Sequence, residues 1–479
     1  GVILHDFFRA VGFSNFENYI PHRHEEGFGF NETAVEKLAR SGARLIITVD
    51  CGTADVAAVA TARARGIDVI ITDHHEPNGR LPDAYAFLNP KRDNAYPFKE
   101  LCGAGVVYKL VQALVQEGKK RNTFALADGW EKWLLDMVGI ATIADRVPLV
   151  GENRVLARYG LLVLRKSRRP GLQQLFRKAR ASQRHLTEDD VGFTLGPRIN
   201  AASRMDTPED AFALLSTTDE REAAVRLAHL EKLNNERKGV VASMSKELKK
   251  RIAGFSEIPP VIVMGNPLWR PALVGLCANS LVETYKRPVF LWGRDGQGII
   301  KGSCRSDNGT SVVALMEAAK GAFIEFGGHH GSGGFSVAHD KIHTLADALC
   351  ATYAKLFTEA DAGEHEVFID ADLTLADIND GLLRLLRAFA PFGEGNSKPV
   401  FRFRDILPSQ ITSFGKAHEH TKLLFDTNIG TVEAVAFYKT PGNFSPVPES
   451  GRPLTLIAHV EESFFMNRLQ TRLRIVDIV

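Results

Sequence analysis

Two short apolar runs constrain the fold of this chain more than any other feature. "RLIITVD" (44–50) and "IDVIITD" (67–73) flank "ADVAAVATARARG" (54–66), an alanine-rich helical pattern that stops at a glycine. Strand, helix and strand at this spacing form a βαβ unit, whose two strands run parallel. Runs without polar alternation are expected of strands buried on both faces. A helix over "ETAVEKLARSG" (32–42) precedes the unit. Both runs end in an aspartate, Asp50 and Asp73, and His74 and His75 follow directly. Ligands of open parallel sheets sit beyond the carboxyl ends of the strands. Both aspartates and the histidine pair are therefore expected to face one crevice.

Carboxylate oxygens beside imidazole nitrogens suit Mn²⁺, Mg²⁺ or Zn²⁺, and the lack of a nearby CxxC argues against a structural zinc site. A fourth residue joins this set. The apolar helix pattern "EKWLLDMVGIATIADRVPL" (131–149) stops at Asp145-Arg146 before Pro148. Asp50, His74, His75 and Asp145 together have the composition of sites that hold two ions against the attacking and leaving oxygens of a phosphoester. Each alone is ordinary: a strand-end aspartate serves equally well as a helix N-cap, and an HH pair as a surface turn.

Composition narrows the class. The 479 residues are 44% hydrophobic, enough for several cores, and the length gives about two to four domains. Lys plus Arg number 59 against 57 Asp plus Glu, so any nucleic-acid-binding surface must be local. Five scattered cysteines fit a reducing cytoplasm rather than a disulfide framework. No apolar run approaches the roughly 18 residues of a membrane span. The opening "GVILHDFFRAVGF" reads as a helix, not a signal peptide.

Beyond residue 104 the pattern is mainly helical as far as 254, with one long helix over 219–251 and an "EIPP" linker at 257–260. An α/β pattern then returns, with strands near 261–264, 288–292 and 298–303 and a helix near 271–286. After about 363 a helix near 374–390 precedes several short β-rich runs, as in a small barrel or sandwich.

Three further segments carry chemistry. "GPRINAASRMD" (196–206) holds Arg198, Asn200 and Arg204, and its arginines can grip a phosphate by fork geometry or pair with acids at a helix start. "KGSCRS" (301–306) and "FGGHHGSGG" (326–334) combine glycines that admit an anion to the backbone with Ser, Arg and His donors. The alternative for those glycines is a tight turn. The stretch 165–184, with eight basic residues and no acid, and "KELKKR" at the end of the long helix are candidate nucleic-acid rails or solvated charged faces.

"TDHHEP", "ITVDCGTAD" and "GIATIADRVPL" resemble the DHH phosphoesterase superfamily. "YIPHRHEEGFGFN" (19–31), "LGPRINAASRMD", "LNNERK" (233–238), "KGSCRS", "FGGHHGSGG" and "APFGEGNSKPVFRF" (390–403) resemble one branch, the RecJ single-stranded-DNA-specific 5′→3′ exonucleases, over essentially the whole chain. The resemblance implies an α/β protein. Its parts would be a parallel-sheet DHH domain (1–160), a helical connector with a long helix (161–256), a second α/β DHH-associated domain with the GGH motif (257–362), and a linker helix with a C-terminal OB-fold β-barrel (363–479).

It also implies two Mn²⁺ or Mg²⁺ ions held by Asp50, His74, His75 and Asp145, with Asp73 orienting a neighbouring histidine. Arg204, Arg305 and Ser306 would hold the terminal nucleotide's phosphate. His329, after Gly327 and Gly328, would line the cleft near the scissile phosphate and complete the catalytic set. The implied partners are single-stranded DNA, a single-stranded-DNA-binding protein and a RecQ-type helicase, in a cytoplasmic monomer working in recombination and repair.

Three departures stand out. The family's DxD-type aspartate pair is not in this sequence; "GVILHDFFRAVGF" resembles the helix that follows it, and Asp6 is a poor substitute. A sequence starting just downstream of that motif is the favoured reading. Arg270 stands where the family usually has His, and "GGHHGSGG" carries an additional His330. Two alternatives remain: a phosphodiesterase for short oligonucleotides or cyclic dinucleotides, and a catalytically silent DNA-binding DHH protein.

Overall fold

The computed structural model describes every residue except 23–25, 27–28, 78, 93–95, 206, 308, 357–366, 416, 429 and 466–467. It begins with α1 (Val2–Ala10) and α2 (Glu32–Arg40), followed by β1 (Leu45–Val49), α3 (Val56–Ala64), β2 (Asp68–Thr72) and β3 (Ala86–Leu88). The expected parallel pairing holds, with Leu45 opposite Asp68 and Val49 opposite Thr72, and β3 extends the sheet in the same direction. Burial on both faces does not hold for β1. It is an edge strand of the described sheet, order β1-β2-β3, and Leu45 is 49% exposed. Apolar side chains of α2 and α3, among them Val35, Leu38 and Val59, pack with Ile46, Val69 and Ile71 in a small core beside this sheet.

A helical body follows, made of α4 (Gly103–Arg121), α5 (Leu135–Ala144), α6 (Gly151–Leu164), α7 (Pro170–Ala179), α8 (Gly196–Met205), α9 (Glu209–Ser216) and α10 (Glu220–Ile252). The expected helix over 131–149 is split: Trp130–Leu134 is 3₁₀ before α5 begins. A π-helical turn, Asp190–Leu195, leads into α8. The 33-residue α10 is capped by Asp219, whose side chain accepts from the Glu222 amide. One apolar cluster runs from Ile3 in α1 through α4–α10 to Leu291, so the connector shares its core with both neighbours.

The second α/β unit contains β4 (Ile262–Gly265), α11 (Pro271–Tyr285), β5 (Val289–Arg294), β6 (Ile300–Arg305), α12 (Val312–Ala318), β7 (Glu325–His329), β8 (Ser332–Val337) and α13 (Leu345–Leu356). Its sheet has the order β4-β5-β6-β8-β7, with only β4–β5 parallel. The last unit contains β9 (Ala371–Asp372), α14 (Asp380–Phe389), β10 (Phe401–Ile406), β11 (Gln410–Phe414), β12 (His420–Thr427), β13 (Gly430–Ala436), β14 (Leu454–Phe465) and β15 (Arg468–Ile478). Its strands form one sheet, order β11-β12-β13-β15-β14-β10-β9, around Phe403 and Phe425. Among the described residues no pairing closes this sheet into the expected barrel.

The linker after α14 is tied to the helical body. The Leu149 amide donates to the Glu394 carbonyl at 2.6 Å. Arg154 and Arg158 donate to the carbonyls of Phe389 and Ala388 at 2.9 and 3.0 Å. Lys398 pairs with Asp189, and the Phe392 amide donates to Glu188 at 3.1 Å. No helix of the described residues is long and apolar enough to cross a membrane.

Candidate active site

The parallel strands set the site by where they stop. The Asp50 amide still donates to the Thr72 carbonyl at 2.9 Å, and the chain then turns with Asp50 at φ 66°. A non-glycine residue in this left-handed region is uncommon and is retained where the surroundings over-determine it. The turn directs the Asp50 carboxylate toward the start of α4. There Gly103 leaves room: a Cβ on Gly103 would lie 2.3 Å from Asp50 Oδ1. Asp145 reaches the same place as the residue that ends α5.

His74 lies between the two carboxylates. Its Nε2 is 3.2 Å from Asp50 Oδ1 and 3.5 Å from Asp145 Oδ2. Asp50, His74 and His75 each present a donor atom within 4.8 Å of the others. Asp73 plays a different part. It is 1% exposed; its Oδ2 accepts from the Thr53 amide at 2.9 Å, and its Oδ1 from the His74 amide and His75 Nδ1 at 2.7 Å each. Burial alone would raise the Asp73 pKa, but the hydrogen bonds from His75 and Thr53 outweigh it and hold the carboxyl well below its usual range. The same bond raises the His75 pKa against the opposing effect of burial. An ionised Asp73 fixes the proton on Nδ1 and leaves Nε2 available to hold a metal ion. Asn89 completes the support, donating to His75 O at 2.9 Å and to Thr53 Oγ1 at 3.0 Å.

A cavity of about 300 Å³ adjoins this set, lined by Asp50, Gly103, Asp145, Asn200 and Gly1 among others. Burial pushes the Asp145 pKa up, with His74 opposing. His329 comes from the second α/β unit. Burial, then nearby Lys91, His75 and His74, push its pKa down, and Asp145 opposes this. His329 is therefore near enough to His74, His75 and Asp145 for their charges to act on it.

Several expected residues are spoken for. Arg198 does not offer a free fork: its Nε donates to Glu231 of α10 at 2.6 Å and its Nη1 to the Thr194 carbonyl at 2.7 Å, both ends largely buried. The Ser306 hydroxyl donates to the Thr310 carbonyl. The glycine-rich segment is not an open anion cradle but the β7–β8 hairpin. Gly327 faces Gly334 and Gly328 faces Gly333, and a Cβ on Gly328 (φ 151°) would lie 2.3 Å from the Ser332 carbonyl. The glycines let two strands close tightly.

Arg204 and Arg305 do come together. Burial lowers the Arg204 pKa, and Arg237 and Arg305 lower it further; burial likewise lowers that of Arg305, with Arg146 adding to the effect. Arg204 Nη1 donates to the Ala272 carbonyl at 2.8 Å and Arg305 Nη1 to the Cys304 carbonyl at 2.7 Å, and the mutual effects of these neighbouring guanidiniums make a setting that favours a bound anion. Gly275 in α11 makes room for Arg305, since a Cβ there would lie 3.0 Å from its Nη2. Arg237 was missed as a site residue although "LNNERK" contains it. Thr53, Asn89 and Gly103 were also missed. Of these, only Thr53 carried a signal, because it follows the first strand-end aspartate closely.

The basic rails are only partly available. Arg169 is held between Asp6 and Asp136 at 2.6 and 2.8 Å, and Arg165 donates to the Leu186 carbonyl at 2.6 Å. Arg251 donates to the Gly265 carbonyl at 3.0 Å. Asp6 is therefore a structural ion-pair partner. The C-terminal sheet carries a different cluster: Arg474 lies 4.1 Å from the centre of the Phe437 ring, beside Arg472, which pairs with Glu461 at 2.7 Å, and an exposed Tyr438. In the segment 19–31, residues 23–25 and 27–28 lie outside the described residues. Arg270 donates to the Met205 carbonyl at 3.3 Å, which bridges α8 and the start of α11.

Family models match three regions: the DHH family N-terminal domain over residues 1–142, the DHHA1 domain over 259–355 and the RecJ OB domain over 369–477. The single-stranded-DNA-specific exonuclease RecJ of Bacillus subtilis is 34% identical over 96% of this chain and 57% of its own length. That of Salmonella typhimurium is 35% identical over 83% of this chain and 71% of its own. The structure resembles RecJ of Thermus thermophilus in complex with Mn²⁺, with a TM-score of 0.81 at 26% identity, covering 100% of this chain and 66% of that one. A manganese-bound exonuclease RecJ matches with a TM-score of 0.60 at 31% identity, over 74% of this chain and 86% of that one. The chain thus spans little more than half of the Bacillus relative. Sequence identity at this level, carried across most of both chains and joined to a shared fold, means that the chain belongs to the RecJ family of single-stranded-DNA-specific exonucleases.

Proposed function

We propose that this chain is the core of a divalent-metal-dependent exonuclease that removes nucleotides from single-stranded DNA in the 5′→3′ direction, in recombination and repair. The observation that carries the reading is the convergence of Asp50, His74 and His75 donor atoms within 4.8 Å at the ends of parallel strands. Asp145 adds a carboxylate 3.5 Å from His74. This mixed oxygen and nitrogen set fits Mn²⁺ or Mg²⁺, and we assign Asp50, His74, His75 and Asp145 as the ligands. Bound there, two such ions supply an activated water and neutralise charge on the phosphate.

The protein's own contributions follow from the geometry. Asp73 holds His75 by its Nδ1 proton and keeps Nε2 turned to the site. Arg204 and Arg305 attract the phosphate of the terminal nucleotide, with Asn200 beside the cavity. His329, its pKa lowered, is neutral near pH 7 and offers a hydrogen bond across the cleft. The C-terminal sheet guides the strand by charge and stacking. The division at residues 160, 256 and 362, the monomeric state, the cytoplasmic setting, and a single-stranded-DNA-binding protein and a RecQ-type helicase as partners belong to the same proposal.

The test is digestion of end-labelled single strands, blunt duplex and a dinucleotide with Mn²⁺ or Mg²⁺. Mononucleotide release from the 5′ end of the long single strand is expected. Equal attack on duplex would overturn strand specificity, preference for the dinucleotide would favour a short-oligonucleotide phosphodiesterase, and binding without cleavage would favour a silent DNA-binding protein.

A further inference from the structure

Phe193 is 81% exposed, while its neighbours Val191 and Leu195 are fully buried. It projects from the π-helical turn Asp190–Leu195. Such turns are rare inside helices and occur frequently at functional sites. Single exposed apolar residues are common and need no explanation; the position of this one does.

Four residues before it, Asp189 pairs with Lys398 at the entrance to the C-terminal unit and also acts on Arg474, which packs on Phe437. Three residues after it, Gly196 abuts Ala144, the residue before Asp145; a Cβ on Gly196 would lie 3.6 Å from that of Ala144. The Thr194 carbonyl is fixed by Arg198 at 2.7 Å, and Arg198 is held by Glu231, so the turn is pinned to α10. From Asp189 to Gly196 the helical path is about 10 Å. Phe193 therefore sits on a segment that meets the C-terminal unit through Asp189 and, through Gly196, the helix that ends at Asp145. Its ring has no charge to orient a phosphate, but it has a face on which a base can stack.

We infer that Phe193 is a positioning residue on which a base of the bound single strand stacks between the C-terminal sheet and the cleft. This rests on single-stranded DNA as the substrate proposed above, and deepens that reading. The stacked base fixes the strand's register as it enters the site. Stacking of one base corresponds to roughly tenfold in binding.

The test uses the full chain without metal, so that nothing is cut, and single-stranded oligonucleotides carrying one 2-aminopurine at successive positions from the 5′ end. Wild type is expected to quench fluorescence at a particular position. Phe193→Ala is expected to lose that quenching and bind about tenfold more weakly, Phe193→Trp to keep both, and Phe193→Leu to restore neither. With metal, Phe193→Ala should raise KM about tenfold and leave kcat within about twofold. Restoration by Leu, or unchanged quenching and KM in Phe193→Ala, would overturn the inference. The binding arm needs no cleavage, so a wild type that cuts nothing would overturn the nuclease reading and leave the stacking result to stand by itself.

Discussion

The Asp73 carboxylate takes a 2.7 Å hydrogen bond from His75 Nδ1, and by the same bond decides which imidazole nitrogen faces the site. Asp73→Asn would remove the anion and let the ring turn or change tautomer. We expect metal affinity, followed by titration calorimetry with Mn²⁺, to fall about 10- to 100-fold with the fold retained. Unchanged affinity would mean that His75 is not oriented through Asp73.

The pair also sets a pH dependence in the metal-free protein. The folded pKa of Asp73 is depressed, so its share of stability is present above the ordinary carboxyl value of about 4 and is lost as pH falls through the folded value. The folded pKa of His75 is raised, so its share is present below about 6.5 and is lost as pH rises through the folded value. The Tm difference between wild type and Asp73→Asn should therefore be largest between about pH 4 and 6.5. Mn²⁺ binding must displace the His75 proton, so affinity should weaken as pH drops through the raised pKa. NMR titration of His75 checks both.

Gly103→Ala separates site geometry from stability. The added Cβ would lie 2.3 Å from Asp50 Oδ1 and 2.7 Å from Asp50 Cβ, which forces the whole Asp50 side chain to move. Alanine in place of glycine at the first turn of α4 favours the helix by up to about 1 kcal/mol. The expected result is a Tm equal to or above wild type together with at least tenfold weaker metal binding and nuclease activity. Loss of Tm would show that the backbone, not the Asp50 side chain, gives way.

Arg169 tests which part of the basic stretch is structural. Its side chain is 18% exposed between Asp6 at 19% and Asp136 at 4%. Arg169→Ala leaves the buried Asp136 and the partly buried Asp6 without their shared cation and should cost about 3 kcal/mol in urea unfolding. Arg177→Ala, on the exposed face of α7, should stay within about 0.5 kcal/mol. If the stretch were a DNA rail throughout, the two variants would instead lose DNA affinity alike.

Removal of divalent ions by a chelator should abolish cleavage without unfolding the protein. The candidate ligands Asp50 and His75 are exposed, and the core beside the sheet is built from Val35, Ile46, Val69 and Ile71. Circular dichroism and activity before and after re-addition of Mn²⁺ measure this, and global unfolding in the chelator would contradict it.

The sequence by itself determined the parallel βαβ unit, the placement of Asp50 and His74-His75 at strand ends, the long connecting helix and the shift to β structure after residue 363. These are periodicity and punctuation, set by which residues tolerate burial and which end an element, and so are local. Tertiary structure decided what each polar group does. Arg198 and Arg204 share one motif and one helix, yet the Arg198 side chain meets Glu231, while Arg204 lies near Arg237 and Arg305. Asp50 faces the site through a left-handed φ, and Gly103, distant in sequence, leaves it space. Ion pairing, desolvation and steric room depend on which side chains meet across the fold. A strand pattern reports burial but not partners, so the sequence could name candidate residues and only the packed structure could show which of them meet.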